Sequence, residues 1–285
     1  MNFRYAIIVF STIGLLFLLQ NVLLRQSGGR AAKSESNFFS SLARIQAGAV
    51  GNPRMMVLGS SITGRLPDRA QGIPDTANMG CDGGSALDAL RAMDAGLLPT
   101  APRLVVEANT LHLGLSAKTS EVSGAMNGFW FKAGLKCSGL AAYARPSAFL
   151  YSELLELRTG SFSDNPSDDL QVNTKPERVT SPQARIGNDE EERLIRELAG
   201  IFSRMKEKGI QITLVWLPPA RKNEKPVAPW ILELAARSEI PFWDLGQQAN
   251  PELVKLTDSV HMDSASAART MNSLLNAREV RDKSE

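Results

Sequence analysis

The sequence predicts an α/β domain with a five-stranded parallel sheet, preceded by one transmembrane helix. Short apolar runs bounded by turn residues indicate buried strands, and helical patterns separate most of them. Strands that alternate with helices are typical of a parallel sheet that is covered on both faces and joined by right-handed crossovers. A long apolar segment ahead of the first strand predicts the transmembrane helix.

The N-terminal segment from Ala6 to Leu24 is almost wholly apolar and begins after Arg4. At about 1.5 Å per helical residue, it reaches the thickness of a bilayer core. A membrane anchor over residues 1–25 and a cleaved signal peptide both fit. The length of the run and the lack of a small-x-small cleavage site after it favour the anchor. Residues 26–36 are polar and contain glycine, so we expect a short linker there.

The globular domain covers residues 37–285. Its elements follow from short apolar runs for strands and from helical periodicity for helices. The predicted strands are Met55–Leu58, Thr76–Met79, Leu104–Ala108, Gln211–Leu217 and Pro241–Leu245. The predicted helices are Asn37–Gly48, Ser85–Leu97, Asp189–Lys208, Pro229–Ser238 and Ser264–Arg278.

Residues 115–188 do not continue the alternation, and we interpret them as an insertion after the third strand. The insertion carries Phe129-Trp130-Phe131, a helical-looking stretch over 140–157 and a polar run over 160–185. Two interpretations of the aromatic residues are open. Either they fix the insertion onto the core, which is the more common role, or the insertion shapes an acceptor site or docks a partner.

Composition excludes several classes of function. The net charge is +2, with acidic and basic residues interspersed, so there is no electrostatic footprint for nucleic acid. No cluster of His, Cys and Asp has the spacing of a metal site, and no glycine-rich phosphate loop is present. We therefore predict neither a metal nor a cofactor.

A candidate nucleophile follows the first strand, where Gly59-Ser60-Ser61 ends an apolar run. Open α/β sheets bind their ligands at the carboxyl ends of the strands, so a serine there is well placed for catalysis. A helix beginning near Ile62 would direct its amides and dipole at the Ser61 hydroxyl. The alternative is that Ser60 and Ser61 only cap that helix.

A candidate base lies near the C-terminus. The chain has two histidines, and one of them, His261, follows Asp258 by three residues in a loop before the last helix. A carboxylate that fixes one imidazole nitrogen leaves the other to take the serine proton, as in a Ser-His-Asp triad.

Candidate oxyanion donors lie at the ends of the neighbouring strands. Gly80 closes the second strand and Asn109 follows the third. The amides of Ser61 and Gly80 and the side chain of Asn109 are donors of the kind that stabilise a tetrahedral oxyanion.

The order Ser61, Gly80, Asn109 and Asp258-x-x-His261 resembles the SGNH (GDSL-like) hydrolase and acyltransferase superfamily, which implies a flavodoxin-like three-layer fold. Gly59-Ser60-Ser61, in place of the usual Gly-Asp-Ser, is similar to the branch of membrane-anchored teichoic-acid D-alanylation and alginate O-acetylation proteins. The resemblance implies that Ser61 forms a covalent acyl-enzyme and that a cell-envelope polysaccharide is O-acylated.

The same resemblance implies a multipass membrane O-acyltransferase as partner. It also implies a single-pass inner-membrane anchor, with the globular domain in the periplasm or otherwise outside the cytoplasm. Three alternatives stay open: an extracytoplasmic esterase or deacetylase, a non-catalytic adaptor of a membrane complex, and a site in which Ser60 rather than Ser61 reacts.

Four further residues attract attention. Glu107 lies in a predicted buried strand, where a carboxylate needs partners, so we expect it to fix a neighbouring loop. His112 follows Asn109 closely, but it has no carboxylate at a matching spacing, which favours a structural or surface role. Cys81 and Cys137 are the only cysteines, and either a disulfide between them or two separate thiols is compatible with the sequence.

Overall fold

The computed structural model describes residues 3–26, 34, 36–115, 120–148, 150, 151, 154, 189–218, 227–248, 254–257 and 260–282. Its strands are β1 (Met55–Gly59), β2 (Thr76–Gly80), β3 (Arg103–Glu107), β4 (Gln211–Trp216) and β5 (Phe242–Asp244). Its helices are α1 (Phe3–Gln26), α2 (Asn37–Ala49), α3 (Ala86–Asp94), α4 (Glu121–Met126), α5 (Phe129–Lys136), α6 (Asp189–Glu207), α7 (Pro229–Ser238), α8 (Leu245–Gln248) and α9 (Ser264–Asp282).

The strands form one parallel sheet in the order β2-β1-β3-β4-β5. The predicted α/β class and five-stranded parallel sheet are confirmed, and every predicted strand boundary lies within one residue of the observed one. In this order β2 lies on one side of β1, whereas β3, β4 and β5 follow one another on the other side. The order of the strands therefore reverses between β1 and β3. Open parallel sheets bind ligands at such a switch point, outside the carboxyl ends of the strands.

The sheet separates two apolar layers, because successive strand residues point to opposite faces. Met56 and Leu58 of β1 belong to the larger core, which α2, α3, α6 and α7 cover. Met55 and Val57 belong to the smaller core, which α9 covers together with the segment after β1. The arrangement therefore has three layers, with helices on both faces of the sheet.

The helix α1 contains a run of 20 residues, Phe3–Val22, that is long and apolar enough to cross a membrane. A signal sequence near the N-terminus meets the same criterion, so both interpretations of this segment remain.

The last turns of α1 contact the segment over 138–144. There the side chain of Gln20 donates to the carbonyl oxygens of Gly139 and Ala144.

The described part of the insertion is helical but broken. It contains α4 and α5, followed by two 3-10 turns over 138–140 and 142–144. The predicted continuous helix over 140–157 is wrong at its start, because Leu140 ends one 3-10 turn, Ala142–Ala144 form another, and the backbone at Arg145 is extended. The polar run over 160–185 lies outside the described residues.

The aromatic triplet of the insertion divides between the core and the surface. Phe131 is buried in the larger core, whereas Phe129 and Trp130 are largely exposed. The favoured interpretation, that all three fix the insertion onto the core, is correct for Phe131 alone.

Candidate active site

The candidate site lies at the carboxyl ends of β1 and β3, at the switch point of the sheet. Leu58 of β1 pairs with Val106 of β3, so the residues that follow these two strands emerge side by side. Ser60 and Ser61 follow β1, and Asn109 follows β3 closely. The expected grouping of these residues at one edge of the sheet is therefore present.

Ser61 and His261 meet at this edge. The Ser61 Oγ lies 2.9 Å from the His261 Nε2, although the two residues are 200 positions apart in the chain. Both side chains are half-buried, so the pair is accessible from solution and partly shielded from it. This distance is that of a direct hydrogen bond, and it suits the transfer of the serine proton to the imidazole.

A small turn before α9 positions His261. The Thr257 amide donates to the His261 carbonyl at 2.9 Å, and the Asp263 amide donates to the Lys255 carbonyl at 2.9 Å. The next side chain, Met262, is buried in the smaller core. Backbone pairing on both sides and a buried neighbour therefore fix the histidine where it can reach β1.

Asp258, the predicted third member of the triad, lies outside the described residues. Its role as the group that orients His261 stays a prediction.

The segment after β1 differs from the expected α-helix at Ile62. It forms only a 3-10 turn over Thr63–Arg65, followed by extended backbone at Leu66. A turn of three residues has too few aligned peptide units to supply the dipole of a helix. The segment is held by side-chain hydrogen bonds instead.

Glu107 supplies those hydrogen bonds. Its side chain is buried and accepts from the Ser60 amide at 2.8 Å and from the Ser60 hydroxyl at 2.8 Å. The Thr63 amide and hydroxyl donate to the same carboxyl group at 3.2 and 2.6 Å, and the Thr110 hydroxyl donates at 3.1 Å. The expectation that Glu107 fixes a neighbouring loop is confirmed, and the loop is the one that carries Ser61.

Gly59 makes room for this network. A Cβ atom at Gly59 would overlap the Thr63 hydroxyl and the Glu107 carboxyl group, and it would lie 2.7 Å from the Glu107 Cβ. Only a residue without a side chain lets the carboxyl group reach the amides beyond β1. The glycine before the two serines is therefore required by packing.

The three predicted oxyanion donors have different surroundings. Among the described residues nothing accepts a hydrogen bond from the Ser61 amide. The Gly80 amide, in contrast, donates to the Asn78 Oδ1 at 2.8 Å. The Gly80 amide is thus already paired, and its predicted role would require this bond to break.

Asn109 is also engaged through its side chain. Its Nδ2 donates to the Leu217 carbonyl at 3.0 Å, and its Oδ1 accepts from the Leu217 amide at 2.9 Å. This pair of bonds ties Asn109, two residues after β3, to the residue that follows β4. A side-chain amide carries two hydrogens, so the second hydrogen of Nδ2 is left for an oxyanion.

Asn78 is a site-supporting residue that sequence reasoning did not identify. It is buried in β2, and its Nδ2 donates to the carbonyls of Thr63 and Leu66 at 2.7 and 2.6 Å. Together with its bond to Gly80, this side chain fixes the far side of the Ser61 turn to β2. The available signal was an amide side chain in the middle of a short predicted strand, since such a group must find partners when it is buried.

His112 lies at the rim of the site. Its Nδ1 is 3.1 Å from the Asn109 carbonyl, to which it donates, and its side chain is exposed. This position agrees with the favoured surface role.

The two cysteines are not bonded to each other. Cys81 and Cys137 are both free thiols, so the disulfide alternative is wrong for this structure. Cys81 is buried, and this burial, together with the nearby Asp88 carboxylate, raises the pKa of its thiol to about 12. Such a thiol does not act as a nucleophile near neutral pH.

Within the described residues no group of three or more His, Cys, Asp or Glu side chains could hold a metal ion.

Comparisons of the chain with protein families, with curated proteins and with solved structures gave no match.

Proposed function

We propose that this chain is a serine-dependent acyltransferase of the SGNH type, which O-acylates a cell-envelope polysaccharide with acetyl as the expected group. The observation that carries the proposal is the 2.9 Å contact between the Ser61 Oγ and the His261 Nε2. A serine and a histidine from opposite ends of the chain, hydrogen-bonded at the switch point of a parallel sheet, are the arrangement that covalent acyl transfer needs.

The mechanism has two steps. In the first, His261 takes the Ser61 proton while the serine oxygen attacks the carbonyl carbon of the acyl donor. The leaving group departs with the proton from His261, and the acyl group remains as an ester on Ser61. In the second, an acceptor hydroxyl gives its proton to His261 and attacks that ester. The new ester forms on the acceptor, and the proton returns to Ser61.

Two donors support the oxyanion of each step. The Ser61 amide has no acceptor among the described residues, and the Asn109 Nδ2 keeps one hydrogen beyond its bond to Leu217. The Gly80 amide joins them only if it leaves Asn78. In this proposal Asp258 holds His261 in the tautomer that accepts from Ser61.

The Glu107 network supports Ser61, rather than Ser60, as the nucleophile. The Ser60 hydroxyl is buried, bonded to Glu107 and accepts from the Ile62 amide at 3.2 Å. The Ser61 hydroxyl faces His261 instead. A buried carboxyl group, that of Glu107, thus contacts the turn that carries the proposed nucleophile, although residue 60 is a serine and not the usual aspartate.

The wider assignment rests on the resemblance and on α1. A retained anchor would place the domain at a membrane surface, which is suitable for a polysaccharide acceptor outside the cytoplasm. A multipass membrane O-acyltransferase is the partner that would deliver the acyl group across the bilayer. An esterase would use the same residues with water as the acceptor.

The test is intact-mass analysis of the full-length chain in detergent after exposure to a fluorophosphonate. We expect one adduct on the wild type, none on Ser61→Ala and little on His261→Ala. Ser203→Ala, at an exposed serine on α6, is the matched control and should react like the wild type. An adduct that survives in Ser61→Ala, or its absence from the wild type, would overturn the proposed nucleophile and favour the adaptor.

Acceptor use separates transfer from hydrolysis. With an aryl acetate as donor, a transferase should pass acetyl to an added oligosaccharide faster than to water. Release of free acetate that is unaffected by any tested sugar would identify an esterase.

A further inference from the structure

The helix α5 has one buried face and one exposed face. Phe131 and Gly134 are buried. Phe129 and Trp130 are 73% and 70% exposed, and their rings pack edge to face with centroids 5.3 Å apart. Two adjacent aromatic side chains with this exposure form an apolar patch that the described part of the domain leaves in contact with solvent.

This patch is held rigidly on the domain. The Gln46 side chain of α2 donates to the Phe131 carbonyl at 3.0 Å and accepts from the Ala142 amide at 2.7 Å. A Cβ atom at Gly134 would lie 2.9 Å from the Ala141 Cα, so α5 packs closely against the segment that follows it. The helix α5 and the segment over 138–144 therefore form one unit with α2.

The same unit contacts the end of the apolar N-terminal helix. Gln20, near the end of the Phe3–Val22 run, donates to the carbonyls of Gly139 and Ala144. A Cβ atom at Gly139 would lie 2.6 Å from the Phe17 ring. If α1 crosses a bilayer, this contact places the unit at the boundary where the helix leaves the lipid.

The composition of the unit fits that boundary. Between Glu121 and Glu153 the chain has no acidic residue, but it carries Lys132, Lys136 and Arg145. Both lysines are exposed on α5. Tryptophan and basic side chains concentrate at membrane interfaces, where rings lie among the headgroups and cations attract anionic lipids.

We infer that the Phe129-Trp130 face of α5 lies in the headgroup region of the bilayer that α1 crosses, with Lys132 and Lys136 against anionic phospholipid. A second copy of the chain is a poorer occupant, because two copies would bring like charges together. This inference rests on α1 crossing the bilayer and is independent of the serine chemistry.

The test is fluorescence quenching of the full-length chain in vesicles of phosphatidylcholine and phosphatidylglycerol with acyl chains brominated near the headgroup. The chain has four tryptophans, and we expect brominated lipid to remove the emission of Trp130. Trp130→Phe should lose that quenching. The control Trp130→Phe/Ser203→Trp carries an exposed tryptophan on α6 instead and should not regain it.

Charge provides a second readout. Lys132→Glu/Lys136→Glu, or vesicles of phosphatidylcholine alone, should reduce the quenching of Trp130. Equal quenching in the wild type and in Trp130→Phe would overturn the inference. The inference would also be overturned if Trp130 emission were the same with and without brominated lipid but changed with the number of chains per vesicle. That result would indicate that a second copy of the chain covers the face.

Discussion

Replacing Ser60 with aspartate should destabilise the fold, because it sets a second carboxyl group against Glu107. The Ser60 Oγ lies 2.8 Å from the Glu107 Oε1, and both residues are buried, at 3% and 1% exposure. Two like charges about 4 Å apart, at an effective dielectric constant of about 20, repel by about 4 kcal/mol. For a domain of this size, that corresponds to a melting temperature lower by about 8–16 °C.

The assay is thermal unfolding of the full-length chain in detergent. Ser60→Asn is the matched control, because asparagine has the size of aspartate but carries no charge. Its side-chain amide can donate a hydrogen bond to Glu107. The double variant Ser60→Asp/Glu107→Gln should regain most of the loss, because only one carboxyl group remains.

Two results would refute this reasoning. One is a Ser60→Asp variant whose melting temperature equals that of Ser60→Asn. The other is a double variant no more stable than Ser60→Asp, which would show that the two positions are not coupled.

Three further predictions concern packing beside Ser61 and the reactivity of the two cysteines. Gly59→Ala should lose about 3 kcal/mol in the free energy of unfolding, because its methyl group overlaps Glu107; a change below about 1 kcal/mol in thermal unfolding would contradict the packing. Asn78→Ala should also cost about 3 kcal/mol, because the buried Gly80 amide loses its acceptor; unchanged unfolding would show that another acceptor replaces it. Under native conditions iodoacetamide should modify Cys137, whereas Cys81, with a pKa raised to about 12 by burial, should react only after unfolding. Mass spectrometry of the native and unfolded chain distinguishes these outcomes, and an unreactive pair before reduction would indicate a disulfide.

The sheet could be predicted because its strands are short apolar runs with clear ends. Met55–Gly59 and the centre of β3, Leu104–Val106, are buried on both faces of the sheet, so these stretches are apolar. Glu107 is the buried exception in β3, and a carboxyl group in such a strand indicated the need for partners that the structure supplies.

The short-range geometry of the site could not be predicted. Whether Ser61 begins a helix or a 3-10 turn depends on Glu107 and Asn78, which approach it from two other strands. Likewise, the engagement of the Gly80 amide depends on the rotamer of Asn78, which no spacing in the sequence encodes. The exposure of Trp130 depends on how a short helix rotates against α2, and an eight-residue helix carries too few apolar positions to specify that rotation.

The bond between Gln20 and the segment over 138–144 bears on how far the domain can move away from α1. A flexible tether of about ten residues would let a domain sweep a radius of about 17 Å. Here α1 contacts the domain directly, so if α1 crosses a bilayer, this contact sets the height of the Ser61 edge above the lipid. Lengthening the connecting chain should leave that height unchanged. Under the proposed function, a polysaccharide acceptor would have to reach Ser61 at that fixed height.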